Sequence, residues 1–105
     1  MPRYNANKIS YSKQEQLLDT FCEVISQLKT KPAIKNFLKD LLNRQERLML
    51  IRRLSVAELL LQGKTYREIK SRLHTGLVTV ARVNRWLHFG RGGYKMAIAI
   101  KKGKV

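Results

Sequence analysis

The chain has 105 residues, the size of one domain, and its single Cys rules out an intramolecular disulfide framework. Lys and Arg number 22 and Asp and Glu number 7, so the net charge is +15, while hydrophobic residues make up 44%. A disordered basic tail has fewer apolar residues, so we expect a folded domain with a polyanionic partner. Nucleic acid is the first candidate and an anionic membrane surface is the second.

The distribution of charge and of apolar residues narrows this choice. Residues 62–105 carry 11 basic residues and one acidic residue, Glu68, so we expect this part to face the polyanion. No apolar run is long enough to cross a membrane, and the polar first residues do not resemble a secretion signal. The single Cys fits a cytoplasmic setting, and because the helices use their apolar faces for a core, we expect no membrane partner.

Helical spacing of apolar residues predicts two helices before residue 43. The first helix is expected to begin with a capping box in which Ser12 is the N-cap and Glu15 reaches back. Cys22 lies near the apolar stripe of this helix, so we interpret it as a buried structural thiol. Pro32 suits the first turn of the second helix.

A third, longer helix is predicted from the capping-box sequence Asn43-Arg-Gln-Glu46 to about Gln62, where Gly63 is a natural stop. Its apolar residues cover more than one face, and Met49 is expected in the core. A helix this apolar should be buried on several sides. The preceding helices can cover part of it, and a second subunit is the economical source of the rest.

A short helix, a turn and a further helix follow. Thr65-Tyr-Arg-Glu68 is a third capping box, and it opens the short helix. His74-Thr-Gly76 forms a turn in which the glycine takes a positive φ or permits close backbone approach. The last of these helices runs from about Leu77 to Leu87 or Phe89. This is the pattern of a helix-turn-helix unit.

The helix-turn-helix pattern predicts how double-stranded DNA is contacted. Its second helix would place its N-terminal residues at the base edges of the major groove, with Val80, Val83 and Leu87 facing inward. Thr79 can hydrogen-bond a base, Val78 can meet a thymine methyl, and the flanking cations suit phosphates. The residues predicted to contact DNA are Lys64, Arg67, Lys70, Arg72, Thr75, Gly76, Leu77, Val78, Thr79, Arg82 and Arg85.

The segment after this unit is less informative. Residues 90–105 combine four glycines, an alternating apolar piece and four lysines. They could form a short strand, a docked extension or a flexible basic arm, and Tyr94 could pin the segment or be exposed. We interpret Trp86 as a core residue rather than a platform near the DNA backbone.

Two runs of this sequence resemble the Trp repressor superfamily. They extend from Leu59 to Lys70 and from Gly76 to Asn84, and the resemblance reaches from about residue 35 to 96. When the run Arg82-Val-Asn-Arg-Trp-Leu87 is included, the sequence is more similar to the Trp-repressor-related proteins of unassigned function. The resemblance implies an all-α, Trp-repressor-like helical bundle with a C-terminal helix-turn-helix, assembled as an intertwined homodimer.

We therefore expect a single domain of residues 1–105. Within it, residues 12–62 form a helical dimerisation core, residues 63–89 the helix-turn-helix and residues 90–105 a basic tail.

The resemblance also points to an effector pocket. Arg53 and Arg82 match the two arginines that hold the corepressor in the Trp repressor. The residue after the second of these arginines is glycine in the repressor and is Val83 in this chain. The valine side chain should fill the space that the indole occupies in the repressor. We expect no response to tryptophan, and whether another effector exists stays open. Read without the resemblance, Arg53 forms an ion pair with Glu46 or Glu58.

The leading functional hypothesis is a homodimeric, sequence-specific regulator of transcription that binds double-stranded DNA in the bacterial nucleoid. No catalytic constellation is evident, and His74 and His88 lack metal-ligating neighbours, so we expect neither an enzyme nor a metal nor another cofactor. One alternative is a nonspecific architectural, nucleoid-associated protein. Another is a module for RNA or an acidic protein, although few aromatic residues of the basic region are free to stack on bases.

Overall fold

The computed structural model describes residues 5–103, which form helices, turns and connecting loops only. A short 3-10 helix, Ala6–Lys8, comes first. The α-helices that follow are α1 (Tyr11–Leu28), α2 (Lys31–Leu41), α3 (Arg44–Leu61), α4 (Tyr66–Leu73), α5 (Leu77–Phe89) and α6 (Gly93–Lys101). The predicted all-α fold is confirmed. Over the described range, each helix is too short or too polar to cross a membrane.

The chain divides into two compact units, one ending at Leu41 and the other beginning at Leu42. Helices α1 and α2 make up the first unit, and α3 to α6 make up the second. The long helix α3 therefore belongs with the helix-turn-helix rather than with the helices before it. The predicted dimerisation core, residues 12–62, spans this boundary, and it stays a prediction together with the single domain and its other subdivisions.

Helix α1 begins two residues earlier than the sequence predicts. The hydroxyl of Ser10 accepts a hydrogen bond from the backbone N–H of Lys13 at 3.2 Å, so Ser10 is the N-cap and the predicted cap at Ser12 is wrong. The side-chain amide of Gln14 donates to the carbonyl of Ile9 at 2.8 Å. This bond ties the chain before Ser10 to the first turn, which favours the earlier start.

The first unit has no enclosed core. No residue of α1 or α2 is buried, although the rings of Phe21 and Phe37 meet with their centroids 6.0 Å apart. Pro32 lies in the first turn of α2, as predicted. Cys22 is exposed, so its interpretation as a buried thiol is wrong for the single chain. The exposed large apolar residues of these two helices are Tyr11, Leu17, Leu18, Phe21, Val24, Leu38 and Leu41.

Helix α3 has the ends that the sequence predicts. The side chain of Asn43 accepts from the N–H of Glu46, and the carboxylate of Glu46 accepts from the N–H of Asn43, both at 2.8 Å. Gly63, just beyond the helix, has a φ of +81°. In the first half of α3 the large apolar residues are exposed, and they are Leu48, Met49, Leu50 and Ile51. The predicted core position of Met49 is therefore wrong for the single chain.

The second half of α3 packs with α4, α5 and α6 around one core. Its buried residues are Val56, Ala57, Ile69, Val80, Val83, Leu87 and Ile98. The three inward residues that the sequence predicts for α5 are all among them. Burying a Val, Leu or Ile side chain stabilises a fold by about 1.5–3 kcal/mol. This cluster therefore holds the helix-turn-helix against α3.

The C-terminal segment docks on the core, which is one of the three possibilities that its sequence left open, but it does so as a helix, which the sequence did not predict. Ile98 is buried and Tyr94 packs against the core from the same face of α6. Met96 and Ile100 lie on the exposed face. The alternating apolar residues are therefore two helical faces, each with residues four apart. The last two residues of the predicted tail, like residues 1–4, lie outside the described range.

Candidate nucleic-acid interface

The N-terminus of α4 is capped by the residues that the sequence predicts. The hydroxyl of Thr65 accepts from the backbone N–H of Glu68 at 3.1 Å. The same hydroxyl lies 3.2 Å from the Glu68 carboxylate and donates to it. The carboxylate thus binds the hydroxyl of the N-cap residue, whereas a full capping box would place it on the backbone N–H. The last acidic residue of the chain is engaged in this cap.

The turn between α4 and α5 differs from the prediction in one respect. His74, rather than Gly76, takes the left-handed conformation, with a φ of 51°, and its N–H donates to the carbonyl of Lys70. Helices commonly end on a left-handed residue, which explains why His74 takes it. Gly76 has a φ of −74° and begins α5, and a Cβ added there would meet no atom within 4 Å. Close backbone approach is the alternative that stays open for this glycine.

The residues predicted to contact DNA differ in exposure. The exposed ones are Arg67, Lys70, Arg72, Gly76, Leu77, Val78, Arg82 and Arg85. Lys64 and Thr79 are half-buried. Thr75 is buried, with only 6% of its surface exposed, and it lies on the walls of two cavities. For all of these residues, contact with DNA stays a prediction.

One of these two cavities, the inner cavity, is enclosed by residues of α3, the turn, α5 and α6. It has a volume of about 500 Å³. Arg53 and Arg82, the predicted effector-binding pair, both line it, together with Arg52. Val83 and Trp86 form part of its wall, and none of the described residues that line it is acidic. The cavity is therefore strongly cationic.

The ion pair considered for Arg53 is not formed, because both candidate acids bind other groups. Glu46 is held in the cap of α3, and the carboxylate of Glu58 accepts from the ammonium of Lys101 at 2.6 Å. The hydrogen bond from Lys101 lowers the pKa of Glu58 below its ordinary value, against the smaller opposing effect of desolvation. This pair joins α6 to α3.

The second of the two cavities, the outer cleft, lies on the other side of the turn. Its volume is about 610 Å³, and Arg67, Lys70 and Ser71 of α4 line it together with the residues of the turn. The turn is thus flanked by arginines of α3 and α5 on one side and by cations of α4 on the other. Such a concentration of cations around a helix N-terminus favours phosphate groups.

Two aromatic residues near the end of α5 were not predicted to be exposed. Trp86 is 54% exposed, so its interpretation as a core residue is wrong, and Phe89 is 81% exposed. At 3.6 residues per turn, Trp86 lies about a quarter turn away from the inward stripe of α5, a signal that its position already carried. We define the aromatic groove as the groove lined by Trp86, Phe89, Gly90, Arg91, Gly93 and Tyr94.

Comparison with known proteins agrees with this geometry. A family model described as "Trp repressor protein" matches residues 16–102. The chain is 35% identical over 81 residues to the uncharacterized protein YerC of Bacillus subtilis (strain 168), covering 77% of this chain and 78% of YerC. It is also similar to the crystal structure of a TrpR-like protein from Eubacterium eligens ATCC 27750, with a TM-score of 0.71 and 30% identity. That similarity covers 94% of this chain and 97% of the other.

Proposed function

The chain belongs to the Trp repressor family, which is a family of DNA-binding regulators rather than of enzymes, and from this premise we propose that it is a homodimeric, sequence-specific regulator of transcription. The observation that carries the proposal is the packing of α5. Its inward residues are fixed in the core, while Val78, Arg82 and Arg85 are exposed on the opposite side. A rigid helix that presents small and cationic side chains is suited to the major groove.

In the proposed complex, the start of α5 reads bases and the surrounding cations hold the backbone. Leu77, Val78 and Thr79 meet base edges, and Arg82 and Arg85 reach guanine or a phosphate. The open space at Gly76 allows the DNA backbone to approach closely. The phosphate-binding cations are Lys64, Arg67, Lys70 and Arg72. Phosphate contacts set affinity and register but carry no sequence information.

The uncovered apolar surface supports the homodimer. Exposed apolar patches on a small domain commonly mark an interface. Exposed apolar residues occur on α1 and α2 in the first unit and on the first half of α3 in the second, and these segments belong to the predicted dimerisation core. Two copies would also present two α5 helices to a two-fold symmetric site.

We also propose that tryptophan is not the effector. The side chain of Val83 lines the inner cavity and is only 2% exposed, so it is packed in the wall against which an indole would have to lie. The arginines that line the cavity are compatible with an effector other than tryptophan that carries a net negative charge. A regulator that binds DNA acts where the chromosome lies, so we propose the cytoplasm as its location.

The experiment that tests the function is selection of bound duplexes from a random DNA library at near-physiological salt, followed by sequencing. A two-fold symmetric enriched site is the expected result. Binding without enrichment that disappears as salt rises would instead support the architectural alternative, which the net charge of +15 alone could sustain.

Two variants separate base reading from phosphate binding on the selected site. Arg82→Ala should weaken binding to the selected duplex by about 1–3 kcal/mol and relax the base preference at one position of the site. Lys70→Ala should lower the affinity for selected and random duplexes alike and make that affinity less dependent on salt concentration. Lys8→Ala, which changes an exposed lysine outside both the predicted dimerisation core and the residues predicted to contact DNA, serves as the control. Equal weakening of both duplexes by Arg82→Ala would contradict the base-reading role.

A further inference from the structure

The aromatic groove lies at the junction of α5 and α6, outside the residues proposed to contact the duplex. It has a volume of about 660 Å³. Its rings come from both helices: Trp86 and Phe89 from the end of α5, and Tyr94 from the start of α6. Trp86 and Phe89 are exposed, as given above, so they present free ring surface to solvent. Exposed aromatic rings gathered in one groove suggest a planar ligand.

The groove is formed in advance by the backbone beneath it. The N–H of Gly90 donates to the carbonyl of Trp86 at 2.9 Å. A Cβ added at Gly90 would lie 2.3 Å from that carbonyl oxygen, so only glycine permits this turn. Tyr94 packs against the core and fixes the opposite wall. A ligand would therefore meet rings that are already in place.

The charge around the groove selects an anionic ligand. The guanidinium of Arg85 lies 5.9 Å from the centroid of the Trp86 ring, and Arg91 is part of the lining. Lys95 follows Tyr94 and is exposed. The sequence contains no acidic residue after Glu68. The occupant should thus combine planar rings with negative charge, and an acidic peptide offers only the second property.

We propose that the aromatic groove is a stacking site for an unpaired base of a single-stranded nucleic acid, with the nearby cations on its phosphates. Stacked rings and cations along a strand are the means by which proteins bind single strands without reading their sequence. This activity goes beyond the proposed function, because a duplex keeps its base faces stacked on one another. It also weakens the sequence-based argument against RNA binding, since the structure leaves Trp86 and Phe89 exposed.

Trp86 makes the proposal measurable, because it is the single Trp of the chain. It lines both the groove and the inner cavity, so the Phe89→Ala variant described below assigns any quenching to the groove. The full-length protein is titrated with a short oligothymidine and with an abasic oligonucleotide of equal length. Oligothymidine should quench Trp86 saturably. The abasic strand, which has the phosphates without the bases, should bind about ten-fold more weakly and leave the fluorescence unchanged.

A variant and a matched control complete the test. Phe89→Ala removes a side chain that makes few contacts, so it should leave the fold intact while weakening oligothymidine binding about ten-fold. Its affinity for duplex DNA should stay unchanged. Met96→Ala changes an apolar residue of α6 that is 65% exposed and does not line the groove, and it should leave both affinities unchanged.

Three results would overturn the proposal. Equal binding of the abasic strand or of polyglutamate would mean that charge alone attracts the ligand. A change of Trp86 emission with protein concentration alone, removed by Phe89→Ala, would mean that a second copy covers the groove. Absence of quenching would exclude stacking. The titration with oligothymidine does not depend on the duplex selection. A failed selection would therefore contradict the proposed function without affecting the test of the groove.

Discussion

The two units of this chain bury their apolar residues to very different extents. In the second unit, α3 to α6 enclose seven buried apolar residues. In the first unit, α1 and α2 have apolar stripes of the same helical spacing but bury none of them. Most helical stability in proteins comes from packing an amphipathic face, and α1, α2 and the first half of α3 lack the cover that the rest of the second unit provides for itself. The difference teaches that one copy encloses a core around α4 and α5 but leaves the apolar residues of α1 and α2 uncovered.

The largest effect is expected from the core of the second unit. Ile69→Ala removes most of a side chain with no exposed surface, and it should lower the free energy of unfolding by about 2–5 kcal/mol. Urea unfolding followed by Trp86 fluorescence measures this change. A loss below 1 kcal/mol would mean that the core of the second unit does not carry the stability of the chain.

A smaller effect, visible only in assembly, is expected from the first unit. Leu17 is 51% exposed, and if a second copy covers it, Leu17→Ala should raise the dissociation constant of the dimer about ten-fold. Sedimentation equilibrium over a range of concentrations measures it. Leu77→Ala, at an equally exposed leucine outside the proposed interface, is the matched control. Equal behaviour of the two variants would remove α1 from the interface.

Residues with a positive φ at helix ends allow a finer comparison of the two units, because each unit has one that is not glycine. Lys29 after α1 and His74 after α4 have φ values of 61° and 51°, a region that favours glycine. His74→Gly and Lys29→Gly should each raise the free energy of unfolding, by about 0.5 kcal/mol. Thermal and urea unfolding measure the gain. A loss at His74 would show that its side chain, rather than its backbone, stabilises the turn.

The smallest effect concerns the docking of α6. Because Lys101 lowers the pKa of Glu58 in the folded chain, the pair stabilises the fold above the ordinary pKa of a glutamate, and this stability is lost as the pH falls through the lowered value. Wild type should therefore be more stable than Glu58→Gln at neutral pH, and the two should converge as the pH falls through the lowered pKa of Glu58. Lys101→Met should reproduce most of the difference and Lys102→Met only a small part, because Lys102 is the weaker cause of the shift. A difference that stays constant through the acid range would assign it to packing.

Local signals in the sequence predicted most of the second unit. Asn43 and Glu46 form a complete hydrogen-bonded cap within four residues, so the start of α3 needed no tertiary information. The inward stripe of α5 follows from helical spacing alone. The same logic chose wrongly between Ser10 and Ser12, because two serines two residues apart offer the same capping chemistry. Only the bond from Gln14 to Ile9 distinguishes them.

The errors of interpretation concern residues whose environment is set by distant elements. Apolar neighbours predict core positions for Cys22 and Met49. An apolar stripe, however, does not show whether the residues that pack against it belong to the same copy of the chain. Trp86 was assigned by residue type, although its position was off the inward stripe. In the segment after residue 90, alternation of apolar residues favours a strand among the ordered elements, and it does not indicate a helix. The contacts of Tyr94 and Ile98 with the core decide for the helix.

The absence of carboxylates after Glu68 also affects how fast the protein reaches DNA. At physiological salt a charge is felt over only about 8 Å, so a continuous cationic surface acts chiefly once a duplex is already near. Within that distance it retains the protein without fixing its register, which permits sliding between neighbouring positions. A single acid placed among these cations would shorten each encounter. For the proposed regulator, the uniform sign of these side chains therefore favours a short search along DNA.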